Sequence, residues 1–405
     1  MAIEFISGCK AAAEAARLAD VDVVAAYPIT PQTSIVEYIS EDVANAKLKA
    51  EMVLAESEHS AMSACVGASI VGARAFTATA SQGLALMHEV LFYAAGLRLP
   101  IVSVVANRSL ASPVTIFADF KDSLAQRDTG WLQFYTESCQ EILDSVLIAY
   151  RVAEDSRVLL PVFVCMEGFV LSHLSEPVNV PNPETVAKFL SPCKPKYPIM
   201  DLNDPKIFNV MAFPDTYEEF ERDKHISMLN AFDVLEEAYQ DFEKVFGRKY
   251  QDLESYKMEN AEIVLVTMGA AAGTAVPVID QLRLQGVKAG LVRVRTFRPF
   301  PRTQLREILS NARVIGVLDR DISVGSTGIL FQEIQSCLYN QPDRPLIQNF
   351  IAGLGGRDIH QGTILSIFET IMKTLQKGVV ERNLNWPDEN KEVLTIWGLQ
   401  VRDDD

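Results

Sequence analysis

The chain has 405 residues, 48% hydrophobic and 22% charged, enough for two or three packed domains with a large core and the balance of a soluble globular protein. A net charge of −16 and a pI near 4.9 argue against nucleic acid and anionic membranes as natural partners, because no surplus of phosphate-neutralising side chains exists. The acidity fits docking to a basic partner, and equally fits plain solubility.

In chain order, Glu4 interrupts the N-terminal segment and no long apolar run follows, which predicts no secretory leader. Residues 8–19 read as an Ala-rich helix whose small side chains suit close packing. A short apolar strand over 21–26 leads into Tyr27-Pro28-Ile29-Thr30-Pro31-Gln32-Thr33, and a helix with apolar residues at helical spacing follows over 33–48. Each proline fixes its own φ and disfavours the α region for the residue before it. The loop therefore holds Tyr27 and Thr30 at the mouth of a strand, where open α/β sheets place ligands, and Thr33 offers a helix N-cap. As a bare pattern the same stretch is also a proline-rich connector that ends a strand.

A strand over 50–55 precedes Glu56-Ser57-Glu58, a helix start with carboxylates in its first turn, where the dipole favours them. A strand over 75–80, a helix over 84–95, a strand over 100–106 ending in Asn107-Arg108, a long loop over 109–122, helices near 124–128 and 137–155, and a strand over 159–165 follow. Alternating short apolar strands and helices predict a doubly wound parallel sheet. Prolines crowd 177–205, and a charged amphipathic helix runs from about 216 to 246, giving the reading of a partly helical arm. The α/β rhythm resumes with strands over 263–266, 289–294 and 314–319 and a helix over 273–285. The tail carries Trp386, Trp397 and a terminal Asp-Asp-Asp, which suggests that it packs on its own domains or on a partner.

The six cysteines, Cys9, Cys65, Cys139, Cys165, Cys193 and Cys337, share no C-x-x-C spacing, so neither an iron–sulfur nor a zinc motif is read here. The histidines form no metal spacing, and no metal site is assigned. Met268 to Thr274 could suggest a phosphate cradle but lacks the P-loop Lys-Ser/Thr and the full G-x-G-x-x-G, and a tight strand–helix turn is the preferred reading.

Several motifs carry a resemblance. Tyr27-Pro28-Ile29-Thr30-Pro31 resembles the Y-P-I-T-P motif in the pyrimidine-binding domain of the 2-oxoacid:ferredoxin oxidoreductases, thiamine diphosphate enzymes related to transketolase. Thr79-Ala80-Ser81-Gln82-Gly83-Leu84 matches that family's T-A-S-Q-G-L, and Ser57-Glu58 before an Ala-rich helix resembles its S-E-x-x-A. Ile116 to Asp122 resembles I-x-x-D-H-x-D, with Phe120 where a histidine is usual. Met166 to His173 is similar to D-G-F-x-x-S-H, with Glu167 for the aspartate, and Gly8-Cys9 departs from the usual G-N. Arg298-Pro299-Phe300-Pro301, Leu318-Asp319-Arg320 and Gly353 to Asp358 resemble the family's second domain, so the likeness covers nearly the whole chain.

The resemblance implies two doubly wound α/β domains of the transketolase type. A pyrimidine-binding domain would occupy 1–177 and a transketolase C-terminal-like domain 261–375, joined by the arm over 178–260 and followed by a tail over 376–405. It implies that Glu58 hydrogen-bonds N1′ of the cofactor, favours its imino tautomer and so promotes the ylid, with Glu56 as the rival. Tyr27, Pro28, Ile29, Ser81 and Gln82 would contact the cofactor; Thr30, Arg108, Asp119 and Phe120 would face the substrate. His173 reads as structural. The chain would be the alpha subunit of a cytoplasmic complex of anaerobic metabolism, most like the pyruvate enzymes. A beta subunit would hold magnesium and the pyrophosphate, gamma- and delta-type subunits would carry 4Fe-4S clusters, ferredoxin would take the electrons and coenzyme A the acyl group. Phe120 keeps oxalate, phenylglyoxylate, branched-chain and indole-type substrates open. From another class, a non-catalytic nucleotide- or coenzyme A-binding protein built around Gly269 to Thr274 is the rival.

Overall fold

The computed structural model of the chain describes residues 2–191, 200, 201 and 203–396. Cys193, Trp397 and the terminal aspartates lie outside the described residues. The chain divides into two compact units, 1–252 with 296–299, and 253–295 with 300–405.

The first unit is built on a seven-stranded sheet in the order Thr296–Arg298, Leu132–Tyr135, Val162–Glu167, Val102–Asn107, Ala75–Thr79, Val23–Ala26, Glu51–Leu54. Six strands are parallel and Thr296–Arg298 runs antiparallel at one edge. The three central strands are buried along their whole length, which is why they read as continuous apolar runs without alternation. Parallel strands bring their carboxyl ends to one edge, and from that edge emerge the loops beginning at Tyr27, Ala55, Ala80, Arg108 and Gly168. The Ala-rich helix, Gly8–Leu18, buries Ala11, Ala12, Ala13, Ala15 and Ala16 against helices Cys139–Ala153 and Thr33–Ala44. Methyl side chains let helix axes approach closely, which explains the run of alanines.

Four elements differ from the sequence reading. Ala2–Ser7, unassigned from sequence, pairs antiparallel with Ser175–Val180 in a separate two-stranded sheet. Leu132–Tyr135 was hidden in a loop because four residues give too short a period to read. The helix expected over 84–95 is two, Ser81–Leu86 and His88–Gly96, meeting at Met87. The helix of the proline-rich arm, Tyr217–Phe246, is no outlying element: Ala231, Val234, Leu235, Ala238, Phe242 and Phe246 lie in the first unit's core. Spaced three and four apart, they form one narrow stripe, and the charges on the other faces masked it. Gly247, at φ 73°, ends this helix.

After that turn Arg248 donates from Nε and Nη2 to the Asp144 carboxylate at 2.6 and 2.7 Å, and the Tyr250 hydroxyl donates to it at 2.7 Å. Asp144 is fully buried, and burial raises its pKa against the opposing pull of Arg248 and Tyr250.

The second unit holds a six-stranded sheet in the order Leu384–Asn385, Leu346–Ile351, Val314–Asp319, Ile263–Thr267, Ala289–Val294, Leu253–Tyr256, with only the last antiparallel. Helices Ala271–Leu284 and Gln361–Lys377 cover it and share its apolar core. Met268 to Thr274 is a tight strand–helix turn through Gly269 at φ 66°. The tail contributes Leu384–Asn385 as an edge strand. Among the described residues no helix is long and apolar enough to cross a membrane.

Arg248→Met would leave the Asp144 charge buried without its bidentate partner. The expected outcome is a loss of about 3–5 kcal/mol in chemical unfolding, and a loss under 1 kcal/mol would remove the pair from the unit's framework.

Candidate functional site

The residues singled out from sequence lie on loops at the carboxyl edge of the first unit's sheet. Their common anchor is Asp122, a residue to which sequence reasoning gave no role. Its carboxylate is fully buried and accepts from four donors: Ser81 N at 2.9 Å, Arg108 N at 3.0 Å, Asn107 Nδ2 at 2.8 Å and Ser123 N at 2.8 Å. One side chain thus joins the loop after strand Ala75–Thr79, the loop after Val102–Asn107 and the start of helix Lys121–Leu124. Burial pushes its pKa up from 3.8 to about 6; the hydrogen bonds from Asn107, Arg108 and Ser81 pull the other way, and Asp119 adds repulsion.

Arg108 is drawn in by the same anchor. Its Nη1 donates to the Thr30 carbonyl at 3.1 Å and its Nε to the Thr115 carbonyl at 2.8 Å, while Nη2 has no hydrogen-bond partner among the described residues. Arg108 and Thr30 are therefore together, but through the Thr30 backbone and not its hydroxyl. Ser81 is buried and its Oγ lies 2.6 Å from the Ser109 carbonyl and 2.5 Å from Gln82 Oε1, so that hydroxyl is engaged inside the protein. Asp119 is likewise buried, accepting from Ser109 Oγ at 2.5 Å and Lys121 N at 3.0 Å. Both tie the 109–122 loop to its neighbours.

In the proline loop Tyr27, Pro28 and Thr30 are exposed, and Ile29 N donates to Gln32 Oε1 at 3.2 Å. Gln32, not Thr33, occupies the N-cap of helix Thr33–Ala44. The loop is held from below by Cys9, whose thiol donates to the Pro31 carbonyl at 3.6 Å, and by Gly168, whose missing Cβ would lie 2.4 Å from the Asn107 carbonyl and 2.9 Å from Pro31 Cγ. Burial pushes the Cys9 thiol up to about 12, which makes it a neutral donor.

Phe120 is 2% exposed, its ring edge-on to Tyr135 at a centroid distance of 5.0 Å. An apolar ring fits that interior position. His173 stacks on Phe169 at 4.7 Å, and Phe169 meets Phe117 at 4.7 Å.

The two candidate glutamates are separated by their surroundings. Glu56 is exposed, and the Ser60 hydroxyl donates to it at 2.5 Å and lowers its pKa. Glu58 opens helix Glu58–Ile70, with Ser57 as N-cap accepting from Ser60 N at 3.2 Å. Its side chain is buried, 6% exposed, and makes no hydrogen bond or ion pair among the described residues. Its Oε1 rests against Gly83, beside the buried Thr79 hydroxyl, which also has no partner. An unpartnered acid and an unpartnered hydroxyl on a cradle that a Cβ would fill suit the polar edge of a flat heteroaromatic ring. Among the described residues no three His, Cys, Asp or Glu side chains come together as a metal group.

A family profile described as "Pyruvate flavodoxin/ferredoxin oxidoreductase, thiamine diP-bdg" matches residues 14–240, and one described as "Pyruvate:ferredoxin oxidoreductase core domain II" matches 261–364. The chain is similar to the pyruvate synthase subunit PorA of Pyrococcus horikoshii, 49% identical over 385 residues, covering 95% of this chain and 98% of that one. The PorA of Methanocaldococcus jannaschii is 50% identical over 374 residues, covering 92% and 95%. The ketoisovalerate oxidoreductase subunit VorA of Pyrococcus abyssi is 46% identical over 382 residues, covering 94% and 96%. Among solved structures, a 2-oxoglutarate:ferredoxin oxidoreductase from Magnetococcus marinus superposes with a TM-score of 0.70 at 18% identity, covering 91% of this chain and 65% of that one. A split gene transketolase superposes at 0.51 and 12% identity, covering 91% and 99%. At these identities the structural likeness establishes the fold.

The raised pKa of Asp122 has a measurable sign. A carboxyl that binds its proton more tightly when folded favours the folded state below pH 4, and that contribution is lost as pH rises to about 6. Relative to Asp122→Asn, the wild-type chain is expected to lose about 2 kcal/mol of unfolding free energy between pH 4 and 7, since a tenfold change in proton affinity is worth about 1.4 kcal/mol. Parallel stability curves for the two proteins would contradict this.

Proposed function

Because the chain belongs to the pyruvate flavodoxin/ferredoxin oxidoreductase family, we propose that the Glu58 edge of its first unit is the pyrimidine half of a thiamine diphosphate site. The chain is an enzyme subunit, the alpha subunit of a 2-oxoacid:ferredoxin oxidoreductase of the pyruvate type. The observation that carries the site assignment is the Glu58 carboxyl: buried, unpartnered, at a helix start, and seated on Gly83 at the carboxyl edge of the sheet.

Thiamine diphosphate, when bound, supplies a carbon nucleophile and an electron sink for decarboxylating 2-oxoacids. This chain's contribution is to hold a proton at the pyrimidine N1′. A carboxyl in an apolar site can share that proton with a ring nitrogen without competition from water. Glu58 takes this role and Glu56, already engaged by Ser60 on the surface, does not. Tyr27, Pro28 and Ile29 offer one wall to the ring. Ser81 and Gln82 offer the other, chiefly through their backbone, since the Ser81 hydroxyl is turned inward. Arg108 holds the 2-oxoacid carboxylate: Nη2 and the exchangeable Nη1 contact to Thr30 give a planar fork suited to a bidentate pair. Asp119 shapes the pocket through the 109–122 loop, and Phe120 through packing beneath it.

A second chain completes the site. Exposed apolar side chains occur on the elements leading to this edge, with Leu54 at 75% and Val114 at 78% exposure, alongside Tyr27, Ile116 and Phe117. Such a border suits burial by a partner. The magnesium and diphosphate would sit on that beta subunit. Clusters on gamma- and delta-type subunits, ferredoxin and coenzyme A would complete a cytoplasmic reaction from pyruvate to acetyl-CoA and CO2. The similarity to ketoisovalerate oxidoreductase subunits favours a branched-chain 2-oxoacid as the second substrate reading.

The test is ferredoxin or viologen reduction by the purified complex with a panel of 2-oxoacids, with and without coenzyme A. Pyruvate is the expected substrate, and a complex loaded with cofactor that reduces nothing would sink the assignment. Glu58→Ala is expected to abolish turnover while the complex still assembles. Arg108→Ala is expected to raise KM by the equivalent of about 1.5–3 kcal/mol, the worth of a hydrogen bond to a charged group. An unchanged KM would take Arg108 out of the pocket.

A further inference from the structure

One polar atom at the proposed cofactor edge is left over by the roles assigned above. Thr79 ends strand Ala75–Thr79 and its Oγ1 is buried with no partner among the described residues. Glu58 reaches the same spot from another element, the start of helix Glu58–Ile70. What brings them together is Gly83, in the first turn of helix Ser81–Leu86. A Cβ on Gly83 would lie 2.5 Å from Glu58 Oε1, 2.9 Å from Glu58 Cδ and 2.7 Å from Thr79 Oγ1. The three nearest side-chain atoms to that position thus belong to the Glu58 carboxyl and the Thr79 hydroxyl.

We propose that Thr79 and Gly83 are positioning residues for Glu58: the bare face of Gly83 sets the depth at which the carboxyl sits, and the Thr79 hydroxyl orients it. The proposal rests on the reading of Glu58 as the group that meets the aminopyrimidine. The physical case has two parts. A buried hydroxyl without a partner is costly, and burial beside an equally unpartnered carboxyl gives each an available complement through rotation about one bond. Thr79 has one hydroxyl proton to give, so it engages a single carboxyl oxygen and leaves the other for the ring nitrogen. Gly83, for its part, stands in a well-formed helix and needs no unusual backbone angle, so its lack of a side chain serves clearance and not conformation. A larger residue there meets Glu58 Oε1 at 2.5 Å and Thr79 Oγ1 at 2.7 Å, so the carboxyl, the hydroxyl or both have to shift.

The experiment uses the complex of this chain with its partner subunits, with thiamine diphosphate and magnesium as the probe. Two quantities are read: the dissociation constant of thiamine diphosphate, and the near-ultraviolet circular dichroism that distinguishes the imino from the amino tautomer of the bound pyrimidine. Gly83→Ala is expected to weaken thiamine diphosphate binding by about tenfold or more and to remove the imino signal, as for an overpacked contact. Thr79→Val, which keeps the shape and deletes the hydroxyl, is expected to weaken binding about three- to tenfold and shift the pH midpoint of the imino signal. Thr79→Ser, which keeps the hydroxyl, is expected to restore both. Glu58→Gln is the reference. If it loses the imino signal while Gly83→Ala and Thr79→Val behave as wild type, the positioning proposal is overturned and the role of Glu58 stands. If Glu58→Gln itself behaves as wild type, the reading of Glu58 falls and the proposal with it. Equal loss in Thr79→Ser and Thr79→Val also overturns it, since packing and not the hydroxyl would then matter. Should Gly83→Ala fail to assemble, the Thr79 pair decides alone.

Discussion

The first unit's working edge depends on one buried carboxylate. Asp122 gathers two backbone N–H groups from separate loops, a side-chain amide and the first turn of its own helix. A parallel sheet brings loops to one edge but does not order them, because each loop has left the ladder that held its strand. A carboxylate with two oxygens and several lone pairs can serve donors from several directions at once. Here it converts two neighbouring loops and a helix start into one surface, and the positions of Ser81 and Arg108 follow from it. The cost is a buried charge, expressed in the raised pKa, and the hydrogen bonds from Asn107, Arg108 and Ser81 offset it.

Around that hub, close approach does what hydrogen bonds do not. Gly168 lets the loop after Val162–Glu167 lie directly against Pro31 and the Asn107 carbonyl, so the proline loop has a floor. Gly83 gives Glu58 its seat. Between these two points the sheet edge presents an acid and an arginine Nη2 with no hydrogen-bond partner among the described residues, and a stiff proline loop. The buried network fixes the loops that carry Ser81 and Arg108 in advance of any ligand.

The departures from the family's motifs acquire physical content in this setting. Cys9 in place of the usual asparagine donates to the Pro31 carbonyl through a long, weak S–H contact. Phe120 in place of histidine is enclosed against Tyr135, where an apolar ring suits a buried position.

From the sequence alone came the alternation of strands and helices, the proline loop at a strand's mouth and the motifs containing Glu58, Thr30 and Arg108, because periodicity and short motifs are local properties of a chain. Tertiary structure decided the rest. It buried Glu58 and left Glu56, two residues apart and alike in sequence, exposed beside Ser60. It turned the Ser81 hydroxyl and Phe120 inward, made Asp122 the anchor, and drew the helix Tyr217–Phe246 into the first core. These outcomes depend on what lies across the sheet edge at separations of 14 to 41 residues, as in the bonds from Asp122 to Arg108 and Ser81, and no local pattern encodes such a neighbour.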